Sequence, residues 1–395
     1  MLFTLEALRA KHGDSLILHY GPPEKPSFIV IDGGPSGVYN NSLKPRLLQV
    51  KEKWSPTKAL PLGMIMVSHL DDDHINGVLQ MTGDVLKQKN KGHEPDFDIE
   101  ALWNNTFDDL IGNAQDAAFE PLAAHVQDAG AVGALPAGVS LSQPGLGVIA
   151  SVGQGRTLRD HAEGLDLRVN DPFPRLVQAR AKGKTVVELG DGLKFTVIGP
   201  REARIKKLWE EWDKELEKLK KAGKLGTQQA LAEAAAYVDK SVFNLSSIVV
   251  LAECGGKRML LTGDARGDHI LEGLEAAKLL TGGKLHVDLL KLPHHGSNRN
   301  VELKFFQQVT ADHYVVSGDG EYGNPDTETL EMISEARGGE MFTLHLTYRT
   351  GVKGIGPRLE KHFGDEKKKG KKYGVVFRED DALSLRVDLL DPVTY

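Results

Sequence analysis

The stretch Ser68-His-Leu-Asp-Asp-Asp-His-Ile-Asn-Gly-Val78 sets three consecutive aspartates between two histidines, directly after the apolar run Leu62-Gly-Met-Ile-Met-Val67. Adjacent carboxylates repel one another and lose hydration when buried. Three of them at the mouth of a buried strand call for a compensating positive charge. Carboxylates and imidazoles are ligands of divalent metals, and a cation removes the repulsion. A turn after the strand can aim His69, Asp71, Asp73 and His74 into one pocket, with Asp72 between them pointing away. The plain alternative is an exposed acidic turn with two incidental histidines.

Three further segments repeat the pattern of an apolar strand that ends in Asp or His beside a glycine or proline. They are Phe28-Ile-Val-Ile-Asp-Gly-Gly34, Arg258-Met-Leu-Leu-Thr-Gly-Asp264 and Leu289-Leu-Lys-Leu-Pro-His-His-Gly-Ser297. Sites in layered α/β folds gather at strand ends, where loops converge.

The rest of the chain sets the frame. Its 395 residues, 40% of them hydrophobic, suffice for a large core, and 26% charged residues are ordinary for a globular protein. A net charge of -6 argues against a general nucleic-acid coat protein and leaves room for a local basic groove. With Cys254 as its lone cysteine the chain can form no internal disulfide, which suits a reducing compartment. The N-terminus does not read as a signal peptide, and no stretch approaches a membrane span, so a cytoplasmic protein without membrane attachment is expected.

Short apolar runs bounded by Gly and Pro predict strands at Leu16–Tyr20, Phe28–Ile31, Met64–Val67 and Leu193–Ile198, with residues 1–80 reading as strands and turns. Asp116–Gly130 has helical spacing, Ala131–Gly155 reads as loop, and a helix is expected to start near Gln154. Between residues 201 and 240, Ile205, Leu208, Trp209, Trp212, Leu216 and Leu219 recur at helical spacing among Glu and Lys. Such a helix lies on its own domain or forms a partner or dimer interface, since two tryptophans on one stripe are costly to expose. As half of a helical hairpin it would turn near Gly223–Gly226. A hairpin across Cys254, alternating helices and strands from residue 269 to 317, and a final strand pair at Tyr373–Arg378 and Leu383–Leu389 complete a layered α/β pattern.

His69-x-Asp71-x-Asp73-His74 resembles the signature of the metallo-β-lactamase superfamily, which usually reads HxHxDH. The aspartate form, with Leu261-Thr-Gly-Asp264 and Pro293-His-His-Gly-Ser297, resembles more particularly the hydrolase domain of competence-type DNA-uptake channel proteins and their soluble relatives. Gly13-Asp14-Ser15, Ile31-Asp-Gly-Gly34, Asn244–Val250, Val316-Ser-Gly318 and Tyr322-Gly323 extend the match in family order. The resemblance implies a single domain over residues 1–395, an αββα four-layer sandwich with a helical insertion at residues 201–243. It implies a two-metal site in which His69 and Asp71 hold the first ion, Asp73 and His74 the second, and Asp264 bridges. His294 would complete the second site, with His295 as an alternative ligand or as an acid near the substrate. Asp32 would orient a ligand histidine from behind, with Asp14 and Asn324 also outside the ligand set.

Two ions about 3.5–4 Å apart can lower the pKa of a shared hydroxide. Asp71, where the usual signature has histidine, makes Mn²⁺ or Mg²⁺ as plausible as Zn²⁺. The expected activity is a metal-dependent phosphodiesterase, foremost a nuclease, acting on nucleic acid or another phosphodiester. The alternatives are a small-molecule hydrolase (lactone, thioester or cyclic nucleotide) and a metal-binding subunit of a larger complex. Ser297 and the lysines Lys367, Lys368 and Lys369 are candidates to meet the substrate, although a solvated loop is the more frequent meaning of such a run.

Two departures stand out. The further histidine ligand of many relatives has only His125 and His161 as candidates, and both read as surface residues. Asn324 stands where relatives carry a histidine before Pro, and an amide supplies no proton near neutral pH. His345 is the substitute candidate for that acid.

Overall fold

The computed structural model describes residues 1–106, 143–221 and 247–395. The helical spacing at Asp116–Gly130, His125, the turn near Gly223–Gly226 and Asn244–Ser246 lie outside the described residues, as do the side chains of Trp209 and Trp212.

The strands, in chain order, are β1 (Leu2–Leu8), β2 (Ser15–Gly21), β3 (Ser27–Gly33), β4 (Leu60–Leu62), β5 (Met64–Met66), β6 (Phe97–Ile99), β7 (Ala101–Trp103), β8 (Arg168–Val169), β9 (Thr185–Glu188), β10 (Lys194–Gly199), β11 (Val249–Cys254), β12 (Lys257–Leu261), β13 (Leu285–Lys291), β14 (Val309–Val316), β15 (Thr343–Leu346), β16 (Gly374–Phe377) and β17 (Ser384–Asp388). One sheet has seven strands in the order β17-β1-β2-β3-β5-β7-β8, a second has eight in the order β16-β15-β14-β13-β12-β11-β10-β9, and β4 and β6 form a small two-stranded sheet. In each of the two large sheets a block of antiparallel strands passes into a parallel block, at β3–β5 and at β12–β13. The carboxyl ends of these parallel strands carry the Asp and His residues singled out above.

The helices are α1 (Lys44–Trp54), α2 (Asp72–Asn90), α3 (Gln143–Leu165), α4 (Glu202–Lys221), α5 (Gly267–Ala276), α6 (Leu303–Gln308), α7 (Thr327–Arg337) and α8 (Ile355–Lys368). The result is a mixed α/β fold in which no helix, among the described residues, is long and apolar enough to cross a membrane. Three apolar clusters hold it together. The first joins one face of the seven-stranded sheet (Ile17, Val30, Ile65) to α1 and α2 through Leu47, Val50, Ile75 and Val78. The second takes side chains from both sheets, among them Phe3, Leu18 and Ile31 with Phe195, Val250 and Leu289. The third joins the eight-stranded sheet (Leu251, Leu260, Leu290) to α5–α8 through Ile270, Phe305, Leu330 and Leu359. Side chains that alternate along β2, β3 and β5 enter different clusters, as the two-residue period of a strand requires.

Several expectations are corrected. Residues 1–80 hold α1 and the first turns of α2 as well as strands. The spacing of Ile75, Val78, Met81, Thr82 and Val85, all buried, is helical and was legible. The glycine-rich stretch read as loop up to Gly155 is helical from Gln143 onward. A Cβ at Gly155 would sit 3.3 Å from Thr106 and one at Gly164 2.9 Å from Leu86, so small residues let α3 come close to its neighbours. His161, read as a surface residue, is half-buried between α2 and α3, its Nδ1 2.9 Å from Thr82 Oγ1.

The final two strands do not pair with each other. β16 adds to β15, and β17 pairs with β1 in the other sheet. Arg378 holds the crossing: its guanidinium donates to the carbonyls of Thr347 (2.9 Å), Asp380 (3.1 Å) and Ala382 (2.6 Å). At the start of α4, Ile205 is buried in the first cluster, so this end of the helix lies on its own chain.

Candidate metal centre

The first-motif residues are set in place by close backbone approach. Gly33, at the end of β3, touches the first turns of α2: a Cβ there would fall 2.3 Å from Val78 N, and one on Gly77 1.9 Å from Gly33 O. Any side chain at either position would push α2 away. Gly13 does the same on the other side, where a Cβ would lie 1.9 Å from Asp73 O, the carbonyl that accepts the Asp14 N–H at 3.2 Å. The first turn of α2 is thereby clamped between the β1–β2 and β3–α1 connections.

Asp71 is the residue at which α2 begins, yet its carboxylate makes none of the usual capping bonds to the helix N–H groups. It faces His69 instead, with Oδ2 3.4 Å from His69 Nε2. Asp72 is exposed and hydrogen-bonds Gln154 of α3, turned away as expected. Asp73 follows in the first helical turn, where the helix dipole favours a negative charge.

Asp264, just beyond β12, lies at the centre and is buried. Its Oδ1 is 3.4 Å from His74 Nε2 and 3.6 Å from His295 Nε2. Its Oδ2 is 3.7 Å from His69 Nε2 and 3.5 Å from His294 Nε2. Asp73 joins the first pair, its Oδ2 3.8 Å from His74 Nε2 and 3.3 Å from His295 Nε2. The two oxygens of one carboxylate thus face two different sets of ligands. Potential ligand atoms of Asp73, His74, Asp264 and His295 all lie within 4.8 Å of one another, as do those of His69, Asp71 and Asp73.

The paired histidines separate in the structure. The sequence reading put His294 with Asp73 and His74 and kept His295 as the alternative ligand there; in the structure it is His295 Nε2 that lies near both Asp73 and Asp264 Oδ1. His294 is on the His69 side of Asp264. Both residues have left-handed backbone, φ 47° for His294 and 54° for His295, which costs of order 1–3 kcal/mol each and aims neighbouring rings at opposite sides of Asp264.

Behind the ligand atoms lies a hydrogen-bonded shell. Asp32 Oδ2 is 2.8 Å from His74 Nδ1, which leaves His74 Nε2 facing Asp264. Ser68 holds Asp32 in turn, its N–H donating to Oδ1 (2.7 Å) and its hydroxyl to Oδ2 (2.6 Å). On the other sheet His295 Nδ1 is 3.4 Å from Asp14 Oδ1, and Asp14 forms a buried ion pair with Lys291. Sequence reading missed Ser68 and Lys291. The signal for Lys291 was available: it is the lone charge inside Leu289-Leu-Lys-Leu292.

The other candidates stand apart. Asn324 donates to the backbone carbonyl of His294 (3.4 Å), and Ser297 Oγ accepts from the N–H of Arg299 (3.4 Å) within its own turn. Lys368 and Lys369 pair with Asp365 and Glu366, so these cations serve the far end of α8. Lys367 and Lys368 belong to its last turn, not to a loop. His345 packs against His313 (Nδ1···Nε2 3.0 Å), and burial followed by the His313 charge pulls its pKa down to about 4. It is neutral at physiological pH and is no proton donor there.

The charges of the cluster are tightly linked. Burial would raise the pKa of Asp264, but His295, His74, His294 and His69 hold it well below the usual carboxylate range. Burial likewise opposes the protonated form of His295, but Asp264 and then Asp14 push it up to about 9. The pocket therefore draws positive charge. His69 Nε2, His74 Nε2, His295 Nε2 and Asp264 Oδ1 are all buried without a hydrogen-bond partner. Buried polar atoms left unpaired cost free energy. A divalent cation on each side of Asp264 would satisfy them, so the donor set fits metal.

Comparison with known proteins adds little. No family model matches the chain. Human microtubule-associated protein 1A is 33% identical over 75 residues, 17% of this chain, and the match spans 3% of that protein's length. A solved structure from Parabacteroides distasonis ATCC 8503, of a protein described as a candidate metal-dependent hydrolase, aligns over 95% of this chain and 99% of its own at 10% identity, with a TM-score of 0.30.

Proposed function

We propose that this protein is a metal-dependent hydrolase of phosphodiesters, foremost a nuclease, with two divalent cations (Zn²⁺, Mn²⁺ or Mg²⁺) on either side of Asp264. The observation that carries the reading is the position of that buried carboxylate between two sets of inward-facing imidazoles, with partnerless ligand atoms on both sides. We read the two sheets and their helices as the αββα four-layer sandwich of the metallo-β-lactamase superfamily. The three apolar clusters support this, since one joins both sheets and the others join each sheet to helices.

Asp73, His74, His295 and one oxygen of Asp264 would hold one cation. His69, Asp71, His294 and the other oxygen would hold the second. Bound there, such cations polarise a phosphoryl oxygen and acidify water. The protein's own contributions are legible. Asp71, Asp73 and Asp264 offset most of the cationic charge and are already held ready for it. Asp32 and Ser68 fix the ring of His74, and Asp14 with Lys291 fixes that of His295, so the ligand atoms are aimed before anything binds. Asn324, whose amide donates to the His294 carbonyl, would steady that turn and cannot protonate a leaving group.

The test is cleavage of labelled single- and double-stranded DNA by metal-stripped protein, with Mn²⁺, Mg²⁺ or Zn²⁺ restored singly and Asp73→Ala run in parallel. Cutting that requires both metal and Asp73 is the expected result. Absence of cutting with every metal, in protein shown to bind two ions, sinks the nuclease reading in favour of a small ester or cyclic nucleotide.

A further inference from the structure

Tyr322 is 73% exposed, the most exposed large apolar side chain among the described residues. It is not carried on a loose loop. The turn Gly320–Gly323 closes on itself, with Gly323 N–H donating to Gly320 O at 2.9 Å. A Cβ on Gly320 would lie 2.6 Å from Ile355, and Arg358 donates to the carbonyls of Gly323 and Pro325. Lys353 closes the other side, its ammonium 2.7 Å from both the carboxylate and the carbonyl of Glu321. A turn fixed on both sides thus holds an aromatic ring out into water, forgoing the stabilisation that burial of such a ring yields.

The ring stands beside the metal centre. Two residues on, Asn324 donates to the carbonyl of His294. Four residues back, a Cβ at Gly318 would lie 3.5 Å from His295 Cβ. The ring of His12 meets that of Tyr322 edge to face at 5.1 Å, and the next residue, Gly13, abuts Asp73 O. The Lys353 ammonium is 5.9 Å from the Tyr322 ring centre. With the Lys353 ammonium over the ring and shared with Glu321, and with His12 edge to face against it, the exposed ring beside the proposed phosphodiester-cleaving centre has the parts of a platform for single-stranded nucleic acid: an aromatic ring for a base and an ammonium close by for the backbone. A base in duplex already stacks on its neighbours and offers no free face.

We infer that Tyr322, with His12 and Lys353, is a subsite that stacks one nucleobase of a single-stranded nucleic acid beside the scissile phosphate. The inference rests on the phosphodiesterase reading for the identity of the substrate, but base binding is measurable without cleavage.

The experiment uses full-length protein in EDTA and fluorescence anisotropy of two labelled probes, a short oligothymidylate and an abasic deoxyribose-phosphate oligomer of equal length. Wild type is expected to prefer the base-bearing probe. Tyr322→Ala should weaken its binding roughly tenfold (about 1.4 kcal/mol). Tyr322→Phe should stay near wild type, and the abasic probe should bind all three proteins alike. Equal binding of both probes by wild type, or unchanged oligothymidylate binding by Tyr322→Ala, overturns the subsite. A preserved base preference in protein that cuts no phosphodiester with any metal supports the subsite while overturning the nuclease reading.

Discussion

Glu6, His19 and Arg46 in one part of the molecule, and Asp73, His74, Asp264 and His295 in another, are both clusters of buried acids and bases, yet they are built to opposite ends. Glu6 and His19 are fully buried. Every polar atom there is answered: His19 Nε2 lies 2.8 Å from Glu6 Oε2, His19 Nδ1 3.1 Å from the Tyr395 hydroxyl, and Arg46 Nε donates to Glu6 Oε1 at 2.6 Å. Around Asp264 the corresponding separations are 3.3–3.8 Å and ligand atoms on three histidines lack partners. Burial of a histidine beside a carboxylate does not by itself mark a ligand. A set of unanswered atoms converging on one buried carboxylate does, because a closed network has nothing left to offer a cation.

The contrast can be broken at several points. The largest effect is expected from Asp264→Ala, which should abolish both metal binding, read by calorimetry, and metal-dependent cleavage. In the metal-free protein the surrounding histidines hold Asp264 well below the usual carboxylate range, so its loss should also lower the melting temperature at neutral pH. Metal binding that survives the substitution would make the cluster structural.

Glu6→Ala should act on stability alone. It leaves Arg46 and His19 buried without their partner, at a cost of about 3–5 kcal/mol by denaturant titration, with metal affinity of the folded fraction unchanged.

The pH dependence of stability sharpens the same contrast. Burial would raise the pKa of Glu6, but His19 and Arg46 bring it from 4.5 down to about 2. A depressed carboxylate contributes stability above its unfolded value that is lost as pH falls through the folded one. That gap corresponds to on the order of 3 kcal/mol. Metal-free wild type should therefore lose more stability between pH 4.5 and pH 2 than Glu6→Gln. Parallel curves would refute the assignment.

The smallest effect is expected from Asp32→Asn. It keeps the shape behind His74 and weakens its orientation, so metal affinity should fall by about 10–100-fold with little change in melting temperature. Affinity equal to wild type would mean that Ser68 alone suffices to hold the ring.

Apolar runs closed by Gly or Pro located most strands, since burial of a short extended segment leaves a continuous apolar signature. They also brought His69, Asp71, Asp73, His74 and Asp264 forward, because three adjacent carboxylates after such a run demand an explanation. The Glu6 network stayed hidden: its partners lie up to 378 residues apart, and nothing local to Glu6 or Ser384 reports the other. The helical stretch after Gln143 was hidden for a different reason. Its glycines count against a helix in isolation, and the helix stands because they fit against Thr106 and Leu86.

What this chain determined by itself is the set of strand ends and the chemistry waiting at them. Residue type sets ligand character, and the two-residue and near-four-residue periods set which elements can form. What only the tertiary structure decided is the partition. Two adjacent histidines, 294 and 295, went to opposite oxygens of Asp264 through two left-handed residues, and two successive strands near the C-terminus went to different sheets across Arg378. Spacing along a chain states that neighbours are near one another. Only packing states which way each one faces.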